Sequence, residues 1–123
     1  MMKRIESPLQ AKSEAFAKRI IKLYHYLTKT KHEQVMSKQI YRSGTSIGAN
    51  IAESKNAQSP ADFINKLSIA LKESGETEYW LKCLKEGDYL NEKEFESIYS
   101  DNVEIGKMLT SSIVTMKRKN GIL

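Results

Sequence analysis

Apolar residues return every three or four positions over most of this chain, and short polar stretches break the rhythm three times. From Leu9, the positions Phe16, Ile20, Leu23 and Leu27 follow at helical spacings, the mark of one buried helix face. Ser7 followed by Pro8 provides an N-cap and a first-turn proline for that helix. The polar run Thr28 to His32 interrupts it, and from about Glu33 a second stripe follows with Met36, Ile40, Ser43, Ile47 and Asn50/Ile51. Lys55 to Ser59 has loop composition, and Ser59-Pro60-Ala61-Asp62 is a capping pattern with proline in the first turn. The third seam is Phe63, Leu67, Ala70, Ser74, Thr77, Leu81 and Leu84, with Gly87 placed to end it as a left-handed cap. Asn91, with Glu94 three residues on, opens the fourth, whose seam is Phe95, Ile98, Asn102, Ile105, Leu109, Ser112 and Met116 and which Gly121 ends.

The predicted helices are thus approximately 8–29, 33–54, 60–86 and 92–118. No segment alternates β-branched residues over strand length, which argues against a sheet. Helices joined by short loops bury their stripes against one another, so the expected fold is all-α, an up-down-up-down antiparallel four-helix bundle. At 123 residues, one domain over 1–123 is expected. Ser43, Asn50, Ser74, Thr77, Asn102 and Ser112 stand in the seams. The core should therefore contain polar layers, each requiring hydrogen-bond partners.

Two helices carry more than a seam. The third places Ile64 and Leu71 on one flank and Ile69 and Trp80 on the other, an apolar arc of about 200° at 100° per residue. That arc fits a subunit interface, the alternative being scattered surface hydrophobes. On the second, Arg42, Ser46, Ala49 and Glu53 share one flank, and Gly44 and Gly48 lie on the opposite one. Glycines four apart give a smooth groove for close approach of another helix, or else a weak point that bends their own. If the second and third helices form a hairpin turning near residue 57, Arg42 lies level with Glu73 and Glu53 comes near Asp62 to Lys66. Arg42 with Glu73 or Glu76, and Glu53 with Lys66, are the ion pairs expected from that register.

Charge adds a direction to this picture. Residues 1–32 hold Lys3, Arg4, Lys12, Lys18, Arg19, Lys22, Lys29 and Lys31 against Glu6 and Glu14, a net +6 in a chain whose total is +5. Such asymmetry marks either a nucleic-acid surface or complementary faces of a self-associating protein, against the plainer alternative of a solvated basic helix face. No apolar run approaches the roughly 20 residues of a membrane span, and MMKRIESPLQ lacks the apolar centre of a signal peptide. A cytoplasmic location with no membrane partner is expected, and the lone Cys83 fits a reducing compartment.

Chemistry-bearing constellations are scarce. Neither His25 nor His32 follows a glutamate by three residues, as a bundle-core metal site would want. Cys83 has no histidine nearby in sequence, and no phosphate loop, dinucleotide glycine motif or paired-cysteine spacing occurs. Glu73, Glu76 and Glu78 form a dense acidic group, but Glu76 and Glu78 point to different faces of a helix, so ion pairing is the expected role. Trp80 and the tyrosines could stack on bases, although Tyr24, Tyr26, Tyr41 and Tyr99 lie at bundle flanks where amphipathic packing is the default. The expectation is no enzyme, with no catalytic, cofactor-binding or metal-ligating residue.

The stretch I-Y-R-S-G-T-S-I-G-A-N-I-A-E at Ile40 to Glu53, F-I-N-K-L-S-I-A-L at Phe63 to Leu71, E-T-E at Glu76 to Glu78 and G-D-Y-L at Gly87 to Leu90 resembles the four-helix-bundle proteins encoded in intervening sequences of bacterial 23S rRNA genes. The likeness runs from Leu9 to about Met116 and is most specific at Arg42, Ser46, Ile47 and Asn50 to Glu53. It implies a bundle in a family that forms ring-shaped homopentamers without known catalytic activity. A related branch, the accessory protein of diversity-generating retroelements, works with a reverse transcriptase and nucleic acid. The family often has proline where Gly48 stands and glycine where Ser54 stands, so the end of the second helix should be more continuous here.

The expected function is therefore an oligomeric, non-enzymatic scaffold binding RNA or DNA through the basic face of the first helix, with Lys12, Lys18, Arg19, Lys22, Lys29 and Lys31 as the contacting residues. Arg42, Gly44, Ser46, Gly48, Asn50, Glu53, Glu73, Glu76, Glu78 and Trp80 are the expected structural or interface residues. The alternative is a protein-interaction module that recruits a partner such as a reverse transcriptase.

Overall fold

The computed structural model describes residues 7–122, so Lys3, Arg4 and Glu6 of the basic first quarter lie outside the described residues. Helix α1 spans Pro8–His25 and continues as a π-helical turn over Tyr26–Thr30; α2 spans Met36–Ser54, α3 Pro60–Glu86 and α4 Glu92–Lys119. Consecutive helices pack side by side, α4 returns to α1, and there is no strand among the described residues. The chain is an all-α four-helix bundle.

The helix starts follow from local side-chain chemistry. Ser7 Oγ accepts from the Gln10 N–H at 3.1 Å and Ser59 Oγ from the Asp62 N–H at 3.1 Å. Asn91 and Glu94 form a reciprocal capping box, with contacts of 2.7 and 2.8 Å. Each such contact satisfies one of the amide donors left over at a helix N-terminus.

Helix α2 departs from expectation: it begins at Met36 rather than near Glu33. Glu33 is its cap and not its first turn. The Glu33 carboxylate accepts from the N–H groups of Val35 at 3.0 Å, Met36 at 3.0 Å and Ser37 at 2.7 Å, and Ser37 Oγ donates back to the Glu33 carbonyl at 2.9 Å. The longer glutamate side chain reaches these donors from two residues before the N-cap position, outside the usual sequence pattern.

Two helix ends also differ. The α-helical part of α1 stops at His25, four residues before the expected end. Thr28 Oγ1 donates to the Tyr24 carbonyl at 2.9 Å, and such back-bonding competes with the α-helical ladder. His32, with φ of 57°, then turns the chain away. Gly87 is the C-cap of α3 but has φ of −82°, and the left-handed residue is Asp88, with φ of 64°. Tyr89 N–H to the Leu84 carbonyl (2.9 Å) and Asp88 N–H to the Lys85 carbonyl (3.0 Å) close a Schellman motif there. Aspartate tolerates this conformation better than most side chains, and a Cβ on Gly87 would lie 3.0 Å from the Tyr89 ring. Gly121 does end α4 in the left-handed region, with φ of 67°.

The core is continuous from Leu9 through Ile20, Ile47, Leu67, Leu81 and Ile105 to Ile113. Two interhelical polar layers cross it. Ser74 Oγ donates to Asn102 Oδ1 at 2.9 Å while Asn102 Nδ2 donates to the Ser74 carbonyl at 3.0 Å, tying α3 to α4. The Ser43 and Thr77 hydroxyls meet at 2.9 Å between α2 and α3. Asn50 and Ser112, expected in the seams, are only half-buried. Asn50 Nδ2 is used within its own helix, on the Ser46 carbonyl at 2.9 Å, and Ile113 takes the core position next to Ser112.

Candidate functional site

The six basic residues singled out in and after α1 divide into two groups. Lys12 and Arg19 face α4. Lys12 Nζ lies 3.0 Å from Glu104 and 3.5 Å from Asp101; Arg19 reaches Asp101 at 2.6 Å, the Ser97 carbonyl at 3.1 Å and Ser97 Oγ at 2.9 Å. The hydrogen bond to Glu104 raises the Lys12 value above the ordinary lysine range, against a smaller opposing effect of burial. These two cations fasten the α1–α4 seam.

Lys18, Lys22, Lys29 and Lys31 are exposed, and among the described residues none of them forms an ion pair. At about 100° per residue, Lys18, Lys22 and His25 fall within about 60° of one another on the outer face of α1, and Lys29 follows in the π-helical turn. Lys31 folds back so that its Nζ sits 5.8 Å from the centre of the Tyr26 ring. The outer face of α1 is thus a lysine stripe with its charges turned to solvent.

Two hollows flank this stripe. On the α4 side a groove of ≈ 530 Å³ is lined by residues that include Arg19, Lys22, Tyr26, Lys93 and Glu94. On the α2 side a hollow of ≈ 290 Å³ is lined by Tyr24, His25, Lys38 and Tyr41. The Tyr24 and Tyr41 rings meet edge to face with centres 4.7 Å apart, and His25 lies 6.0 Å from Tyr24. Lys38 and Tyr41 were not among the expected site residues. Their spacing of three on one flank of α2 was a signal, but only the register with α1 brings Tyr24 and His25 to them.

The second cluster is the charged face of the α2–α3 hairpin. Arg42 Nη1 lies 3.2 Å from Glu73 Oε2, and Arg42 Nη2 binds Glu76. Trp80 Nε1 donates to Glu76 Oε2 at 3.2 Å, and Ser46 Oγ donates to the Arg42 carbonyl at 2.7 Å. The Arg42 hydrogen bond, followed by that of Trp80, holds the Glu76 carboxyl below its ordinary range, and the same contact to Glu76 raises Arg42. Lys66 Nζ comes within 3.8 Å of Glu53. Glu78 takes Lys82 at 2.9 Å and the Tyr99 hydroxyl at 3.3 Å. These acids are therefore occupied by cations and donors of the same chain.

Gly44 and Gly48 face α1. A Cβ on Gly44 would lie 2.7 Å from Ile20 Cγ1, so the missing side chain is what lets α1 and α2 close together there. At Gly48 the nearest neighbour would be the Ser13 carbonyl oxygen at 3.5 Å, an ordinary contact. On α3, Ile64 is buried within the bundle, Ile69, Leu71 and Trp80 are half-buried, and Tyr79 is 59% exposed.

Among the described residues, no group of three His, Cys, Asp or Glu side chains is arranged to hold a metal ion. None of their helices is long and apolar enough to cross a membrane.

Among curated proteins no relative matches the chain. A solved structure does: a protein of unknown function from the S23 ribosomal protein family of Bacteroides thetaiotaomicron VPI-5482 is 57% identical, over 85% of this chain and 97% of its own, with a TM-score of 0.85. Residues 7–111 match the family described as 23S rRNA-intervening sequence protein, and the chain belongs to that family.

Proposed function

We propose that this chain acts in the cytoplasm as a self-associating bundle without a catalytic centre, and that it binds RNA or DNA through the outer face of α1. The observation that supports this reading is the exposed run of Lys18 and Lys22 on one face of α1 and Lys29 in the turn that continues it, free of ion pairs among the described residues. Lys12 and Arg19 are engaged by Asp101, which favours the outer lysines as the contacting residues. Phosphate contacts of this kind release counterions, so affinity falls steeply with salt.

The test is fluorescence anisotropy with labelled structured RNA. Three lysine contacts give a slope of log affinity against log salt of about −2 to −3, and the triple variant Lys18→Gln, Lys22→Gln, Lys29→Gln flattens it. Absence of binding at micromolar protein and low salt would remove the reading. Self-association draws support from α3, where Tyr79, 59% exposed, packs edge to face on the half-buried Trp80 with ring centres 5.0 Å apart, an aromatic surface left to solvent in the single chain. Light scattering is expected to give a mass several times 14.1 kDa, five times in the ring that the family resemblance implies, and a monomer at high concentration would refute it.

A further inference from the structure

We infer that the hollow between α1 and α2 accepts an unpaired nucleobase, so that the lysine stripe holds a single strand more tightly than a duplex. The inference rests on the nucleic-acid reading above and adds to it a site and a strandedness.

The hollow has the size and walls for one flat heterocycle. Its ≈ 290 Å³ lies at the lower end of the range for small-ligand sites, about 300 Å³ upwards. Its lining consists of three aromatic rings and one ammonium group, with no carboxylate. Tyr24 props Tyr41 edge to face at 4.7 Å, which fixes the Tyr41 ring while leaving that residue 39% exposed at the rim. A prepositioned ring loses little freedom when a base stacks on it. Lys38 at the rim supplies a cation for the adjoining phosphate or an acceptor edge of the base.

Position along α1 connects the hollow to the stripe. His25 belongs to both: it lines the hollow and shares the outer arc of α1 with Lys18 and Lys22, with Lys29 in the turn that follows. A backbone following the lysines therefore passes the mouth of the hollow, and a single strand can turn one base into it. In a duplex the bases are stacked and paired inside the helix, so a duplex meets the lysines alone.

The experiment compares a labelled oligoadenylate RNA with a blunt RNA duplex of equal length, by anisotropy at fixed salt, on the full chain. Tyr41→Ala is expected to weaken oligoadenylate binding roughly tenfold and leave the duplex unchanged, Tyr41→Phe is expected to retain the affinity, and His25→Ala repeats the selective loss. The lysine triple variant weakens both probes. An unchanged oligoadenylate affinity in Tyr41→Ala, or an equal loss on both probes, overturns the base site while the lysine reading stands. Failure of the unsubstituted protein to bind either probe overturns both.

Discussion

Glu33 does at the head of α2 what a serine or asparagine does elsewhere in the chain, with the addition of a charge. It is 6% exposed, and three backbone N–H groups converge on its carboxylate. Burial pushes its carboxyl upwards, but the N–H groups of Met36, Ser37 and Val35 together outweigh burial and hold it below the ordinary value of 4.5. A negative charge at this end of a helix also meets the positive end of the helix dipole. Glu33→Ala removes the acceptors of three N–H groups, of which that of Ser37 is buried, at a cost of about 1–3 kcal/mol. The expected result is a lower urea midpoint with an unchanged slope. The sign with pH follows from the direction of the shift. A carboxyl whose folded value is depressed stabilises fully above its unfolded value and loses that contribution as pH falls through the folded one. Stability should therefore decline on acidification below about pH 4.5, and Glu33→Gln should remove part of that decline. Glu76 titrates in the same direction, but solvent around a partly exposed pair reduces its share.

At the scale of helices, Gly44 and Gly48 have the same spacing and different surroundings. Alanine at Gly44 drives a Cβ into Ile20, which is 0% exposed and packed on all sides. Overpacking of this kind costs about 1–3 kcal/mol, more than the roughly 1 kcal/mol of helix propensity gained over glycine. At Gly48 the new methyl finds room, so the propensity gain prevails. Thermal denaturation should place Gly44→Ala below and Gly48→Ala at or above the unsubstituted protein, and shifts of one sign for both would contradict this packing. The polar layers act at the same scale. The paired Ser74 and Asn102 satisfy each other only in one α3–α4 register, and a slipped helix would bury both unpaired.

Across the whole molecule, the basic residues of α1 and of the turn after it fall into two sets. Asp101 holds Lys12 and Arg19 against α4, while the outer lysines remain available. The seam pairs are partly exposed, with side chains 28–40% accessible for Lys12, Arg19 and Asp101. Their net contribution to stability is therefore about 1 kcal/mol or less. Asp101→Asn should leave the melting temperature nearly unchanged while adding uncompensated positive charge beside the stripe. On the proposed function, RNA then binds more tightly and the salt slope steepens by roughly one; an unchanged slope would place the binding surface elsewhere.

Residue order alone determined the helices and their pairing, because the helical period, serine and asparagine caps and short loops are local properties. The hairpin register also followed from it, which is why Arg42 meets Glu73 where residue counting puts it. What escaped were contacts between elements distant in sequence. Periodicity places Lys12 and Arg19 on the edge of α1, but nothing local says that α4 brings Asp101, Ser97 and Glu104 to that edge. Glu33 likewise read as a first-turn residue, since its capping role depends on the chain reversing at His32. Only the packed bundle decided which cations are spent inside the molecule and which face water, because the facing of helix flanks is set by long-range packing and not by local propensity.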